Sequence, residues 1–469
     1  MPRLRAAYIL VAAVLVAALC PPAAFAQASA DAYFEFLMAR RLETQGDTAG
    51  ALAALGRAAA AARGSAEIRA EIASFQLRHN KREEAEKAAR EALVLDEGSL
   101  EAHRVLGLIA AADADGASER RQGPMTLTYA REAIAHLERV ASSPSADITL
   151  HYTLGRLYLR TGAADKAVLA LGRVIAQNPG SVQGRMALAQ AYVASNDLKA
   201  AIGILEEIVE DEPRVASALA QYQEQSGQFT EAAENYTRAL AVTPMSRELK
   251  FRRAATLLSA KDYTRAATLA AQAQAEHPEA TRFPRLQARA LLAGGSTARA
   301  VTVLEEAARA FPKDTATRFA LADLYSDAKR GADAERTVRQ LLEVEPGNAD
   351  ALNYLGYMLA ERGVQLDEAV RLVRRALEAD PGNASYLDSL GWALYRKGDM
   401  AEAEKYLLPA AEKLPRNSVI QDHLGDALAG RGRWQDAIAA WTKALNGDGE
   451  IDRAAIERKI QDARAKLPR

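Results

Sequence analysis

Residues Leu387–Ala410, LDSLGWALYRKGDMAEAEKYLLPA, decide the fold. Two helical patterns meet there at the turn Lys397-Gly398-Asp399. In the first, Leu387, Leu390, Gly391 and Leu394 recur at three- and four-residue spacing, which lines them along one helix face. In the second, Ala403, Leu407 and Ala410 do the same, and Pro415 closes the unit because it cannot continue a helix. The small residues Gly391 and Ala403 stand where two helices must approach closely. Neither helix buries its apolar face alone, so the unit needs neighbours.

The rest of the chain supplies them. With Ala384 as position 1, Leu390 and Gly391 take positions 7 and 8, Ala403 position 20, Leu407 position 24, Ala410 position 27 and Pro415 position 32. The frame restarts at Ala32, Ala66, Leu100, Ile148, Val182, Pro213, Arg247, Thr281, Thr315, Ala349 and Ser418. Its period of 34 residues and its Leu-Gly, Ala and Pro positions resemble the tetratricopeptide repeat over nearly all of the chain beyond the leader. The resemblance implies an all-α fold, a right-handed superhelical solenoid of about twelve helix-turn-helix units.

The leader is the first 26 residues. Arg3 and Arg5 precede an apolar run, Ala6–Leu19, and Ala24-Phe25-Ala26 has the A-x-A form of a signal-peptidase site. The run is short for a membrane span of about 20 residues. Cleavage after Ala26 leaves a periplasmic chain that starts at Gln27. Cys20, the single cysteine, is the alternative: lipidated, it makes the protein an outer-membrane lipoprotein, although Leu19 stands where a small residue belongs. Residues 27–246 form an N-terminal array of six repeats and residues 247–449 a C-terminal array of six. Residues 450–469 read as a charged capping helix with a polar outer face.

Three irregularities interrupt the rhythm. Fourteen extra residues lie between Leu100 and Ile148, and the polar stretch near 112–124 reads as an exposed loop between two helices. The step from Val182 to Pro213 is three residues short, which calls for a shortened helix and a change in superhelical path. The step from Ala349 to Ala384 is one residue longer than the period, and the extra residue fits the turn Arg362–Gln365.

Composition narrows the function. The formal net charge is −1, and without Arg3 and Arg5 it is 58 basic against 61 acidic residues, or −3. A general nucleic-acid binder shows a basic excess instead. The six histidines, His79, His103, His136, His151, His277 and His423, fall into no metal-ligand spacing. No phosphate-binding glycine loop, nucleophile elbow or dinucleotide fingerprint occurs. The expectation is a non-catalytic protein without metal or cofactor. No stretch after the leader is long and apolar enough to span a membrane.

In the tetratricopeptide family the first helix of each repeat lines a concave groove, mainly through positions 2, 5, 9 and 12. At those positions repeat eight carries Arg282, Arg285 and Arg289, a row of guanidinium groups suited to carboxylates. The plainer reading is a solvated face, or pairing with Asp323. Repeats ten to twelve offer Asn353, Tyr357, Asp388, Trp392, Tyr395, Asp422 and Asp426. Tyr and Trp are enriched at binding hot spots, and an asparagine there can bond a peptide backbone. The plainer reading is that Trp392 and Tyr395 pack against adjacent helices. No asparagine occupies position 9 in any repeat, so the carboxylate clamp known in this family is absent.

Residues Ala349–Leu445, with LNYLGYMLAERG and LDSLGWALYRKG, resemble exported bacterial tetratricopeptide proteins. Some of these are outer-membrane lipoproteins that act as adaptors for a carboxyl-terminal processing protease. The resemblance implies a scaffold of the cell envelope that holds proteins or peptides in its groove for an envelope protease or secretion machinery. The alternatives are an assembly factor for exopolysaccharide secretion and a glycan- or peptidoglycan-binding protein.

Overall fold

A computed structural model describes residues 23–144 and 146–467. Among the described residues there are 25 α-helices and one 3-10 turn, Pro213–Val215. They form twelve helix-turn-helix pairs followed by a last helix, Arg453–Ala465. First helices begin at Ala66, Leu100, Ile148, Val182, Arg247, Thr315, Ala349, Ala384 and Ser418, where the 34-residue frame restarts. The eighth begins at Arg282, with Thr281 at its cap. The opening helix is Ala23–Thr44, so the expected cleavage point after Ala26 falls in its first turn. Cys20 and the rest of the leader lie outside the described residues.

Repeat eleven shows how the residues build the pair. The Asn383 side chain accepts hydrogen bonds from the Ser385 and Tyr386 N–H groups, which would otherwise lack partners at the helix start. Gly398 ends the helix at φ +95°, a conformation that a Cβ disfavours. Asp399 then caps the second helix by accepting from the Glu402 N–H. Between the helices, a Cβ on Gly391 would lie 2.5 Å from Leu407 Cγ and 3.0 Å from the Ala403 carbonyl oxygen. The same contact recurs as Gly155 against Leu171, Gly356 against Val373 and Gly425 against Trp441. Ala403, Leu407 and Ala410 are fully buried. Pro409 sits inside the second helix and donates no N–H to it.

The extra residues near 112–124 are not an exposed loop. They lengthen both helices of repeat three, to Leu100–Glu119 and Gly123–Ala141, leaving the turn Arg120–Gln122. Ala110, Ala114 and Ala117 are buried and continue the apolar face. The polar residues that suggested a loop lie on the other face and are ion-paired: Asp113 with Arg82, and Asp115 with Arg156 and Arg160 at 2.9 and 2.8 Å. Pro124 falls in the first turn, where its missing N–H costs little. The short step does contain a short helix, Leu198–Glu206 of nine residues, before the 3-10 turn at Pro213. The long step adds its residue in the turn Gly363-Val364-Gln365, where Gly363 and Gln365 both have positive φ.

The helices group into two compact units that part between Pro244 and Met245. In the first, alanine-rich cores run from Ala39 to Ile109 and from Ala110 to Ala191. In the second, a core runs from Ala322 to Ala463, and smaller clusters form around Leu286 and Phe283. The last helix joins it through Ile456, Ile460 and Ala463.

Candidate functional site

Three first helices, Ala349–Arg362, Ala384–Lys397 and Ser418–Gly430, carry seven of the candidate residues. Asn348, Asn383 and Asn417 cap them through side-chain oxygens. The structure links most of the seven through two residues outside the candidate set, His423 and Lys459. His423 Nδ1 lies 2.9 Å from Asp388 Oδ1, with the two residues only 5% and 6% exposed. Burial opposes the imidazolium, but the charge and hydrogen bond of Asp388 outweigh it, and His423 is held above its usual range. Trp392 stacks on His423 at 4.0 Å between ring centres and on Tyr395 at 5.1 Å. Lys459, on the last helix, reaches Asp422 at 2.9 Å and Asp426 at 2.7 Å. Trp441 Nε1–H donates to Asp426 at 3.1 Å. Burial and the Asp422 charge lift the Asp426 carboxyl above its usual range, against Lys459 and Trp441. Burial, then the Glu361 and Asp388 charges, raise the Tyr357 phenol.

The acidic part of this patch is therefore already matched. Asp388 is buried against His423, and Lys459 holds Asp422 and Asp426. The polar atoms left over are an acceptor and a donor. Asn353 Oδ1 and Trp392 Nε1 are both buried with no hydrogen-bond partner. Such atoms are uncommon in folded proteins and call for a specific explanation.

The arginine row lies apart, on the first helix of repeat eight. Arg282 donates to Glu248 at 2.8 Å and stands over the Phe251 ring, 4.4 Å from its centre. Arg285 donates to Asp314 at 2.7 Å and to Thr317 Oγ1 at 3.2 Å. Arg289 is exposed and makes no ion pair or hydrogen bond among the described residues. The carboxylates that hold the row are thus Glu248 and Asp314, not Asp323. All three arginines line a cleft of roughly 390 Å³ with Asp323 and Asp327. Burial, then the Asp327 charge, raises the Asp323 carboxyl above its usual range, with a Tyr354 hydrogen bond opposing.

His423 stands next to Asp422 in the sequence, and adjacent helix residues point apart. Its partner is Asp388, 35 residues earlier. The usable signal is a polar pair separated by one period plus one residue. Lys459 lies beyond the last repeat, and no periodicity announces it. Among the described residues, no group of three or more His, Cys, Asp or Glu is placed to hold a metal ion. No described helix is long and apolar enough to cross a membrane.

Against known proteins, one tetratricopeptide-repeat model matches residues 162–222 and 291–356. A second matches residues 217–281, 257–315 and 365–418, and together the two cover more than half of the chain. A protein of Pseudomonas aeruginosa described as TPR repeat-containing is 30% identical over 174 residues. That match spans 36% of this chain and 29% of the relative, so the chain matches less than a third of its length. The crystal structure of yeast Tom70 is 14% identical over 93% of this chain and 96% of its own, with a TM-score of 0.41. A tetratricopeptide repeat protein from Parabacteroides merdae is 15% identical over 55% of this chain and 98% of its own, also with a TM-score of 0.41.

Proposed function

Because this chain belongs to the tetratricopeptide-repeat family, we propose that it is a non-catalytic scaffold of the bacterial cell envelope that holds a partner's peptide segment on the first helices of repeats ten to twelve. The observation that carries this reading is the orphaned pair, Asn353 Oδ1 and Trp392 Nε1. An acceptor and a donor without partners complement the N–H and C=O of a peptide backbone. Each unmet buried group costs the free protein about 1–3 kcal/mol. Both residues are only partly buried, so part of each side chain is open to solvent. A peptide rather than a glycan fits, because the Trp392 ring is already stacked on His423 and Tyr395. The envelope location rests on the 1–26 leader, and a mature chain beginning at Gln27 is expected by mass. Lipid found on Cys20 would place it instead as a membrane-anchored lipoprotein. Within the envelope, delivery of bound proteins to a processing protease is the role its C-terminal repeats suggest.

The test pairs stability with capture. Trp392→Phe keeps a ring to stack on His423 and removes the N–H. Asn353→Leu removes the acceptor. Each variant should be as stable as the parent or more so, by about 1–3 kcal/mol in urea unfolding. Each should lose partners captured from envelope extract. Equal capture by both variants and the parent rejects this groove as the site.

A further inference from the structure

The cleft beside the arginine row has chemistry that the C-terminal patch lacks. Its floor is apolar, built from Leu286, Leu292, Leu304 and Leu324. Its two walls carry opposite charges. On one, Arg282 and Arg285 are held by Glu248 and Asp314, and Arg289 is left exposed and unpaired among the described residues. On the other, Asp323 and Asp327 are exposed one helical turn apart and form no ion pair among the described residues. Arg289 lines the same cleft as these carboxylates, yet lies beyond ion-pair distance of both. Opposite charges that face one cleft without meeting leave room between them for a ligand that meets each.

We infer that this cleft is a second peptide subsite, selective for an extended segment that sets a large apolar side chain between an acidic and a basic one. The apolar side chain fills the floor. The acidic group lies over repeat eight, against Arg289, and the basic group lies over repeat nine, against Asp323 and Asp327. In an extended peptide, residues two apart point the same way and are separated by roughly 7 Å. Glu-X-Leu-X-Lys and Lys-X-Leu-X-Glu therefore both present the three groups on one side, and chain direction selects between them. This inference rests on the scaffold reading but not on repeats ten to twelve, so the two fail separately.

The experiment uses the full chain and labelled Gly/Ser-based peptides carrying Glu-X-Leu-X-Lys, Lys-X-Leu-X-Glu, Glu-X-Leu-X-Glu, Lys-X-Leu-X-Lys or Glu-X-Ser-X-Lys. One of the two dipolar Leu peptides should bind tighter than either singly signed one by about fivefold, the scale of an exposed ion pair. Ser in place of Leu should abolish binding. Arg289→Glu makes both walls acidic and should move the preference to Lys-X-Leu-X-Lys. The double variant D323K/D327K should move it to Glu-X-Leu-X-Glu. These are exposed positions, and unchanged thermal melting confirms that each variant folds. Absence of binding by the dipolar peptides, or no switch of preference in folded variants, overturns the inference.

Discussion

Single residues in this protein divide by whether the repeat needs them. Gly391 is needed because its partner helix leaves no room for a side chain. A Cβ there meets Leu407 and the Ala403 carbonyl, and backbone cannot turn aside as a flexible side chain does. Gly391→Ala should therefore destabilise the second unit by about 1–3 kcal/mol, the usual cost of overpacking. Gly172, also inside a helix, has nothing within 4 Å of its absent Cβ. Gly172→Ala should be neutral or stabilising by up to about 1 kcal/mol. Urea unfolding of the two variants measures the contrast, and equal effects would refute it. Trp392 and Asn353 are the opposite kind of residue, because their polar atoms are unmet in the free fold. The sequence marked them through repeat position alone. That Asp388 is spent on His423 is marked only by their spacing of one period plus one residue.

At the scale of elements, the last helix does more than cover the twelfth repeat. Its apolar face, Ile456 and Ile460, shields the core, while Lys459 supplies the cation for two carboxylates. Burial works against the Lys459 charge, yet Asp426 and Asp422 hold its ammonium above the usual range. Lys459→Met keeps the aliphatic stem and removes the charge. It should destabilise the second unit by about 2 kcal/mol, less than the ~3–5 of a fully buried pair because Lys459 is partly exposed. The loss should shrink as the pH falls far enough to protonate Asp426. Thermal melts of the variant at neutral and acid pH test both statements. Helix positions were legible because a 34-residue period repeats the same evidence along the chain. Near 112–124 composition points to a loop, but spacing outranks it and both helices run on. Ala110, Ala114 and Ala117 keep the helical interval through the polar stretch, and the interval decides which face is buried.

Within each unit, a stack in which each pair touches its neighbours should respond to a perturbation locally. Histidine titration gives the two units opposite responses to pH. In the first unit, burial followed by the His103 charge lowers His136, and burial followed by the Arg173 charge lowers His151. Their folded forms resist protonation, so stability is complete above the unfolded value of about 6.5 and falls as pH drops through and below it. In the second unit His423 is raised. Its contribution is complete below about 6.5 and is lost as pH rises through its higher folded value. Between about pH 5.5 and 8, calorimetry should show the first unit gaining stability and the second losing it. His423→Asn should flatten the second response and leave the first unchanged. Two transitions that shift in the same direction would contradict this account.

The oversized third repeat has a consequence for how such a chain assembles. Units of near-identical length and pattern are interchangeable, and an emerging helix pair can settle against the wrong neighbour. Helices of 20 and 19 residues do not match slots shaped for 14. Asp115, clasped by Arg156 and Arg160, completes its contacts only beside the fourth repeat. The long pair thus acts as an address in an otherwise monotonous text, fixing the count of repeats from one point along the chain.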